Sequence, residues 1–261
     1  VKKIIDAGVD QFGGESCPEL VVDLVKTGQI AEARIDESVK RLLRVKFELG
    51  LFENPFIDLN NISKVLGNPE FQKKGDASQR RAMTLLKNDN KILPLKKGAL
   101  KVYVRGMDAT VAAQYATVVS KPEDADIAIL RLSTPWVPVE TQNFMARSFH
   151  HGDLDFKGGA KDSILQLLST VPTIVDIYLD RPAVIPEISA KAKGLLADFG
   201  ASDAAVLDVI FGKAKPGGHL PFELPSSMEA VKAQSPDTPH DSAQPLYRFG
   251  YGLTTAKGAQ F

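Results

Sequence analysis

Four near-continuous apolar runs constrain this chain most: KVYVRG (101–106), ADIAILRLS (125–133), PTIVDIYLD (172–180) and KGLLADF (193–199). Runs of this length that do not alternate with polar residues suit strands of a parallel sheet covered on both faces. Between them lie stretches of helical pattern, KDSILQLLST and SDAAVLDVIFG, the second with Ser202 placed to cap and Gly212 to stop it. Strands alternating with helices predict a doubly wound α/β layer over residues 99–261. HLPFELP (219–225) is expected to add a short late strand.

The first 60 residues read differently. CPELVVDLVKTGQI predicts a helix with Pro18 in its first turn and Gly28 at its end. RIDESVKRLLRVKFELGLF predicts a second, capped by Asp36 and ended by Gly50, with Val39, Leu42, Leu43 and Phe47 on one face. AGVDQFGGES is expected to form a short buried strand entering a glycine loop. One strand and two helices cannot bury their own apolar faces, so this piece calls for something else to pack on. Residues 61–98 are expected to be a linker, with a helical pattern over 68–88 and a turn with a short extended segment in DNKILPL.

Composition narrows the function classes. Thirty-two basic and 32 acidic residues cancel, and no basic block stands out, which argues against nucleic acid and anionic membranes as partners. No apolar run reaches the ~20 residues of a membrane span. One cysteine, Cys17, excludes an internal disulfide framework, and with four histidines it shows no metal-ligand spacing. The sequence carries neither a dinucleotide fingerprint, nor a phosphate-binding P-loop, nor a serine nucleophile elbow. The chain shows no initiator Met or leader, and NIS at Asn61 to Ser63 is a common triplet, so compartment stays open.

In an open α/β sheet, ligands meet the loops beyond the carboxyl ends of the strands. The loop after Ser133 is long, from Thr134 to about Gly159, and holds Trp136, Glu140, His150, His151, Asp153 and Asp155. An aromatic ring with carboxylates equips a sugar site: a face to stack on and acids for proton transfer. The alternative is ordinary packing for Trp136, and solvated loop groups for the rest.

Several stretches together resemble the C-terminal portion of glycoside hydrolase family 3, of bacterial β-glucosidase type: ARIDESVKRLLRVKFELGLFENPFID, AMTLLKNDNKILPL, FGASDAAVLDVIFGKAKPGGHLPFELPSS and PLYRFGYGLT, in family order. The resemblance implies an (α/β)6 sandwich domain at 99–261, preceded at 1–60 by the last strand and closing helices of a (β/α)8 barrel. It implies a retaining exo-β-glycosidase, β-glucosidase preferred, acting on a β-linked oligosaccharide or glucoside without a cofactor. The family's nucleophile is an aspartate in an SDW-like motif, which is absent here; the one tryptophan, Trp136, follows Pro135. The expectation is therefore a separate N-terminal barrel polypeptide as partner, and a chain inactive by itself. Self-association into a homodimer is left open, as is a periplasmic, secreted or cytoplasmic location in a bacterium.

By the same resemblance, Glu140 is the general acid/base, from a loop of the second domain, with Asp153 as the other candidate donor. Trp136, His150, His151 and Asp153 are expected substrate contacts from that loop. Gln11, Phe12 and Glu15 are candidates at the end of the barrel strand. The rival reading is a non-catalytic carbohydrate-binding or assembly module that keeps the sandwich. The aromatic tail PLYRFGYGL reads as packing.

Overall fold

A computed structural model describes residues 1–253 except Glu15, Lys97 and Asn143, and excludes the side chain of Phe144. The candidate Glu15 thus lies outside the described residues. The chain divides into two compact units, Val1–Asn68 and Pro69–Phe261.

The second unit is built on a six-stranded sheet: β1 (Thr84–Asn88), β2 (Lys101–Arg105), β3 (Thr117–Val119), β4 (Ile127–Ser133), β5 (Thr173–Tyr178) and β6 (Gly194–Asp198). Their order is β1-β6-β5-β4-β2-β3, parallel throughout except for β1, which runs antiparallel along β6. Period-two alternation sorts the apolar runs onto two faces. Ala128, Leu130, Val175, Ile177, Leu195 and Ala197 pack with Ile164, Leu167 and Leu168 of the helix Gly158–Thr170. Ile127, Ile129, Ile174 and Leu196 pack with Val206, Leu207 and Ile210 of the helix Asp203–Ile210. Each fully buried aliphatic side chain contributes about 1.5–3 kcal/mol, and covering both faces is why these strands read as unbroken apolar runs.

Ser202 caps the second helix as expected, its Oγ accepting from the Ala205 N–H. Gly212 ends it at φ +73°, where an added Cβ would also lie 2.8 Å from Pro94 Cβ. The tail packs: Leu253 bridges Leu85, and the Tyr247 hydroxyl sits 2.7 Å from Ser189 Oγ.

Three local expectations change. The helical pattern over 68–88 stops at Ala82, and Thr84–Asn88 inside the expected linker enters the sheet as β1. Met83, Thr84, Leu85 and Leu86 are all buried, which a surface helix cannot do and a covered strand requires. HLPFELP forms no strand, only an isolated bridge between Leu224 and Tyr247; Pro221 and Pro225 have no N–H to donate to a ladder. Asp36 lies inside its helix, Glu32–Glu48, whose N-cap is Ala31.

The carboxyl edge of the sheet carries an ion cluster on the face of the helix Asp203–Ile210. Arg131 continues the Ile127, Ile129 face, and Asp176 and Asp198 continue the faces of Ile174 and Leu196. The guanidinium donates to Asp203 Oδ1 at 2.6 Å, to Asp198 Oδ2 at 3.2 Å and to the Ala201 carbonyl. Its Nε is 3.1 Å from Asp176 Oδ2, without the alignment of a hydrogen bond. Asp198 Oδ1 also accepts from the Gly200 and Ala201 N–H groups. Full burial, and next the Asp198 charge, push the Asp176 carboxyl well above the usual carboxylate range.

The first unit has the opposite character. Its main helix, Glu32–Glu48, buries only Ser38. Val39, Leu42, Leu43 and Phe47 share a face as expected, but that face is exposed, Phe47 by 59%. Beside the buried Ile5 and Ile30, polar contacts tie the unit: Arg34 donates to the Ile5 and Val9 carbonyls, and Ser38 and Arg41 both donate to Asp10. The expected strand at 7–12 is coil, because a lone strand has no ladder partner in this unit.

The cluster makes opposite predictions for its members. Arg131→Met leaves buried carboxylates uncompensated and should cost about 3–5 kcal/mol in denaturant unfolding. A carboxyl whose pKa rises on folding adds stability that is full below the ordinary carboxylate range and is lost as pH climbs toward the raised value. Asp176→Asn removes that loss, so its Tm relative to the parent should be higher at about pH 8 than at about pH 4. A difference that falls with pH would show Asp176 to be ionised in the fold.

Candidate active site

The loop after β4 is anchored before it diverges. Thr134 is buried; its N–H donates to the Tyr178 carbonyl at 3.1 Å and its hydroxyl to the Arg181 carbonyl at 3.1 Å. The Val137 N–H then donates to the His151 carbonyl at 2.8 Å, an antiparallel bridge that closes residues 138–150 into a separate lobe. Arg181, from the turn after β5, fills the neck of that lobe. Its guanidinium donates to the Pro135, His151, Gly152 and Asp153 carbonyls, so one side chain ties both legs together. Gly152 passes the neck at φ +85°, where an added Cβ would lie 2.2 Å from Val137 Cγ2.

Glu140 lies at the far part of the lobe, exposed, in an open cleft of about 600 Å³ lined by Pro138, Val139, Thr141, Gln142 and Arg147. Arg147 Nε donates to the Thr141 carbonyl at 2.6 Å and pins that part of the lobe. The Glu140 carboxylate accepts no hydrogen bond from any described residue. The burial that a proton donor needs is not supplied by this unit alone.

Trp136 is 45% exposed, and the His150 ring lies flat over it, with centroids 4.2 Å apart and planes 10° from parallel. His150 Nδ1 is hydrogen-bonded to Asp180, which follows β5. The structure thus brings Trp136 and His150 into one stack. His151 contributes its backbone to the neck, and its side chain is exposed. Asp153 is bound by Lys157, whose ammonium holds its carboxyl below the usual carboxylate range. Gln11 and Phe12 belong to the first unit, where Gln11 is exposed and Phe12 half-buried in coil.

Asp180, Arg181 and Gly152 were not legible as site residues. A signal existed for the first two: DRP follows a strand's carboxyl end, as the loop after Ser133 does. Arg181 acts on backbone carbonyls, however, which leave no trace in the residue types it meets. Among the described residues, no group of three or more His, Cys, Asp or Glu could hold a metal ion, and no helix is long and apolar enough to cross a membrane.

Comparison with known proteins gives this geometry a family. Residues 112–255 match the sequence profile of the glycosyl hydrolase family 3 C-terminal domain. The chain is 50% identical over 257 residues to a probable beta-glucosidase C of Aspergillus flavus, covering 97% of this chain and 40% of the relative. It is 41% identical over 254 residues to a periplasmic beta-glucosidase/beta-xylosidase of Dickeya chrysanthemi, covering 96% of this chain and 38% of the relative. The chain therefore spans about 40% of the length of these curated relatives. In fold it is similar to a beta-glucosidase from Listeria innocua solved with isofagomine, at a TM-score of 0.65, 21% identity, and coverage of 96% of this chain and 43% of the other. An exo-1,3/1,4-beta-glucanase from Pseudoalteromonas gives a TM-score of 0.65 at 22% identity, with 100% of this chain and 50% of the other covered. The profile match across more than half of the chain shows that it belongs to glycoside hydrolase family 3, as the family's C-terminal portion.

Proposed function

We propose that this chain is the C-terminal part of a retaining exo-β-glycosidase, a β-glucosidase by preference, in which Glu140 is the general acid/base. The nucleophilic aspartate lies on a separate barrel polypeptide, and the chain alone is inactive. The observation that carries this reading is Glu140 itself: a carboxylate without a hydrogen-bond partner among the described residues, in an open cleft on a lobe tied at its neck to the carboxyl edge of the sheet. A retaining glycosidase needs its two carboxyl groups about 5–5.5 Å apart, one to attack the anomeric carbon and one to protonate the leaving oxygen. Packing of the barrel and substrate against the lobe would supply the burial that keeps the donor protonated. Asp153 suits that role less, because Lys157 holds it ionised.

The relatives named as beta-glucosidases support the substrate class, a β-linked glucoside or oligosaccharide. The exposed apolar face of the helix Glu32–Glu48 supports a missing packing partner, since exposed patches of that kind mark interaction surfaces. Trp136 and His150 are the contacts most suited to a sugar ring; His151, Gln11 and Phe12 are further proposed contacts. The Trp136–His150 stack also suits the second reading, a sugar-binding module without chemistry.

Joining the chain to its barrel polypeptide separates the two. Hydrolysis of cellobiose should appear only in the mixture. In that complex Glu140→Gln should lower kcat on cellobiose by about 10²–10⁴-fold, the usual value of general acid catalysis. Dinitrophenyl β-glucoside, whose leaving group needs no proton, should lose much less in the glycosylation step. Wild-type cleavage of cellobiose by Glu140→Gln would remove Glu140 from the mechanism.

A further inference from the structure

Asp180 has no part in the sheet or in the neck of the lobe. Its side chain reaches His150, 30 residues away in sequence. The side chains are 21% and 34% exposed, so water screens the contact less than at an open surface. An ionised carboxylate only accepts hydrogen bonds. Where the imidazole is neutral, the Asp180 contact places its hydrogen on Nδ1 and leaves Nε2 with its lone pair. No described residue hydrogen-bonds Nε2. The same contact fixes the ring plane, which lies flat over Trp136. The result is a fixed hydrogen-bond acceptor over one face of an indole that stays 45% exposed. A pyranose matches both features: its C–H face stacks on an aromatic ring and its hydroxyl donates to a lone pair.

We propose that Asp180 is a positioning residue that builds a pyranose subsite from His150 and Trp136, orienting the imidazole as a hydroxyl acceptor beside the indole. The class of ligand, a β-glucoside, rests on the glycosidase reading above; binding itself needs neither Glu140 nor hydrolysis. Asp180 touches no sugar in this arrangement and works only through His150. Its effect must therefore vanish when His150 is gone, whereas a latch that merely holds the loop would act independently.

Trp136 is the single tryptophan of the 261 residues, so the chain's indole emission reports on the subsite directly. Titrating the 261-residue chain with cellobiose should produce a saturable change in that emission. Asp180→Ala and His150→Ala should each weaken the affinity about tenfold, the loss of one well-placed hydrogen bond. The double variant should be no weaker than His150→Ala alone. Asp180→Asn preserves the shape while its amide can also donate to Nδ1 and release the tautomer; it should weaken binding about threefold or more. A flat titration of the parent chain overturns the subsite. Unchanged affinity in both Asp180 variants, or a loss in the double variant equal to the sum of the two, overturns the positioning role. Hydrolysis by the barrel-joined protein with a flat titration would leave the glycosidase reading standing and remove the subsite. Saturable binding without hydrolysis would do the reverse.

Discussion

The sheet's functional edge depends on one buried charge arrangement. Arg131, near the carboxyl end of β4, lies among three carboxylates, from β5, from β6 and from the first turn of the helix Asp203–Ile210. Its guanidinium side chain is 16% exposed, and Asp176 and Asp198 are fully buried. One cation cannot neutralise three anions in so dry a place. Burial, and next the Asp198 charge, push the Asp176 carboxyl well above the usual carboxylate range, which lessens that excess of negative charge. The arrangement then joins three strands and a covering helix at the edge from which both the long loop and the Asp180–Arg181 turn depart.

Arg181 extends the same logic outward. A loop leaving a sheet edge exposes carbonyls that no ladder satisfies. Four of them, from both legs of the lobe, converge on this guanidinium, whose planar fork of donors suits several acceptors at once. Lysine, a single point charge, could not hold that set in fixed directions. The lobe bearing Glu140 is therefore long in sequence but short in effective reach. Its neck is tied to the turn after β5, and Arg147 ties its far part back to Thr141.

How much of this was legible follows from where each element keeps its information. β4, β5 and β6 announced themselves because both faces are largely buried, so nearly every residue in them had to be apolar or paired; β2 was legible from its valines, although only Val102 is buried. Asp176, the polar residue inside PTIVDIYLD, is the exception that the Arg131 cluster explains. β3 went unread because three residues, TVV, all partly exposed, carry no pattern. β1 was hidden by an upstream helix whose periodicity runs into it without a breaker at Met83. The loop stood out in the sequence as a candidate site by its length and by its place after Ser133. Its internal fastening was not, since side chain to carbonyl bonds leave no residue signature. The stacking of His150 on Trp136 was equally hidden, although both residues had been singled out.

The two units differ in where their free energy comes from, and that difference bears on how the chemistry is divided. The second unit buries a two-faced core and leaves the lobe after β4 exposed, Met145 and Phe149 included. The first buries Ile5 and Ile30 and is tied by Arg34, Ser38, Arg41 and Asp10, while Leu42, Leu43, Phe47, Phe52 and Phe56 are exposed. Leaving such side chains in water forfeits about 1.5–3 kcal/mol apiece, a loss that a stable protein recovers by covering them. A partner that covered that face and also carried an attacking carboxylate would bring the two halves of an acid–nucleophile pair together by association.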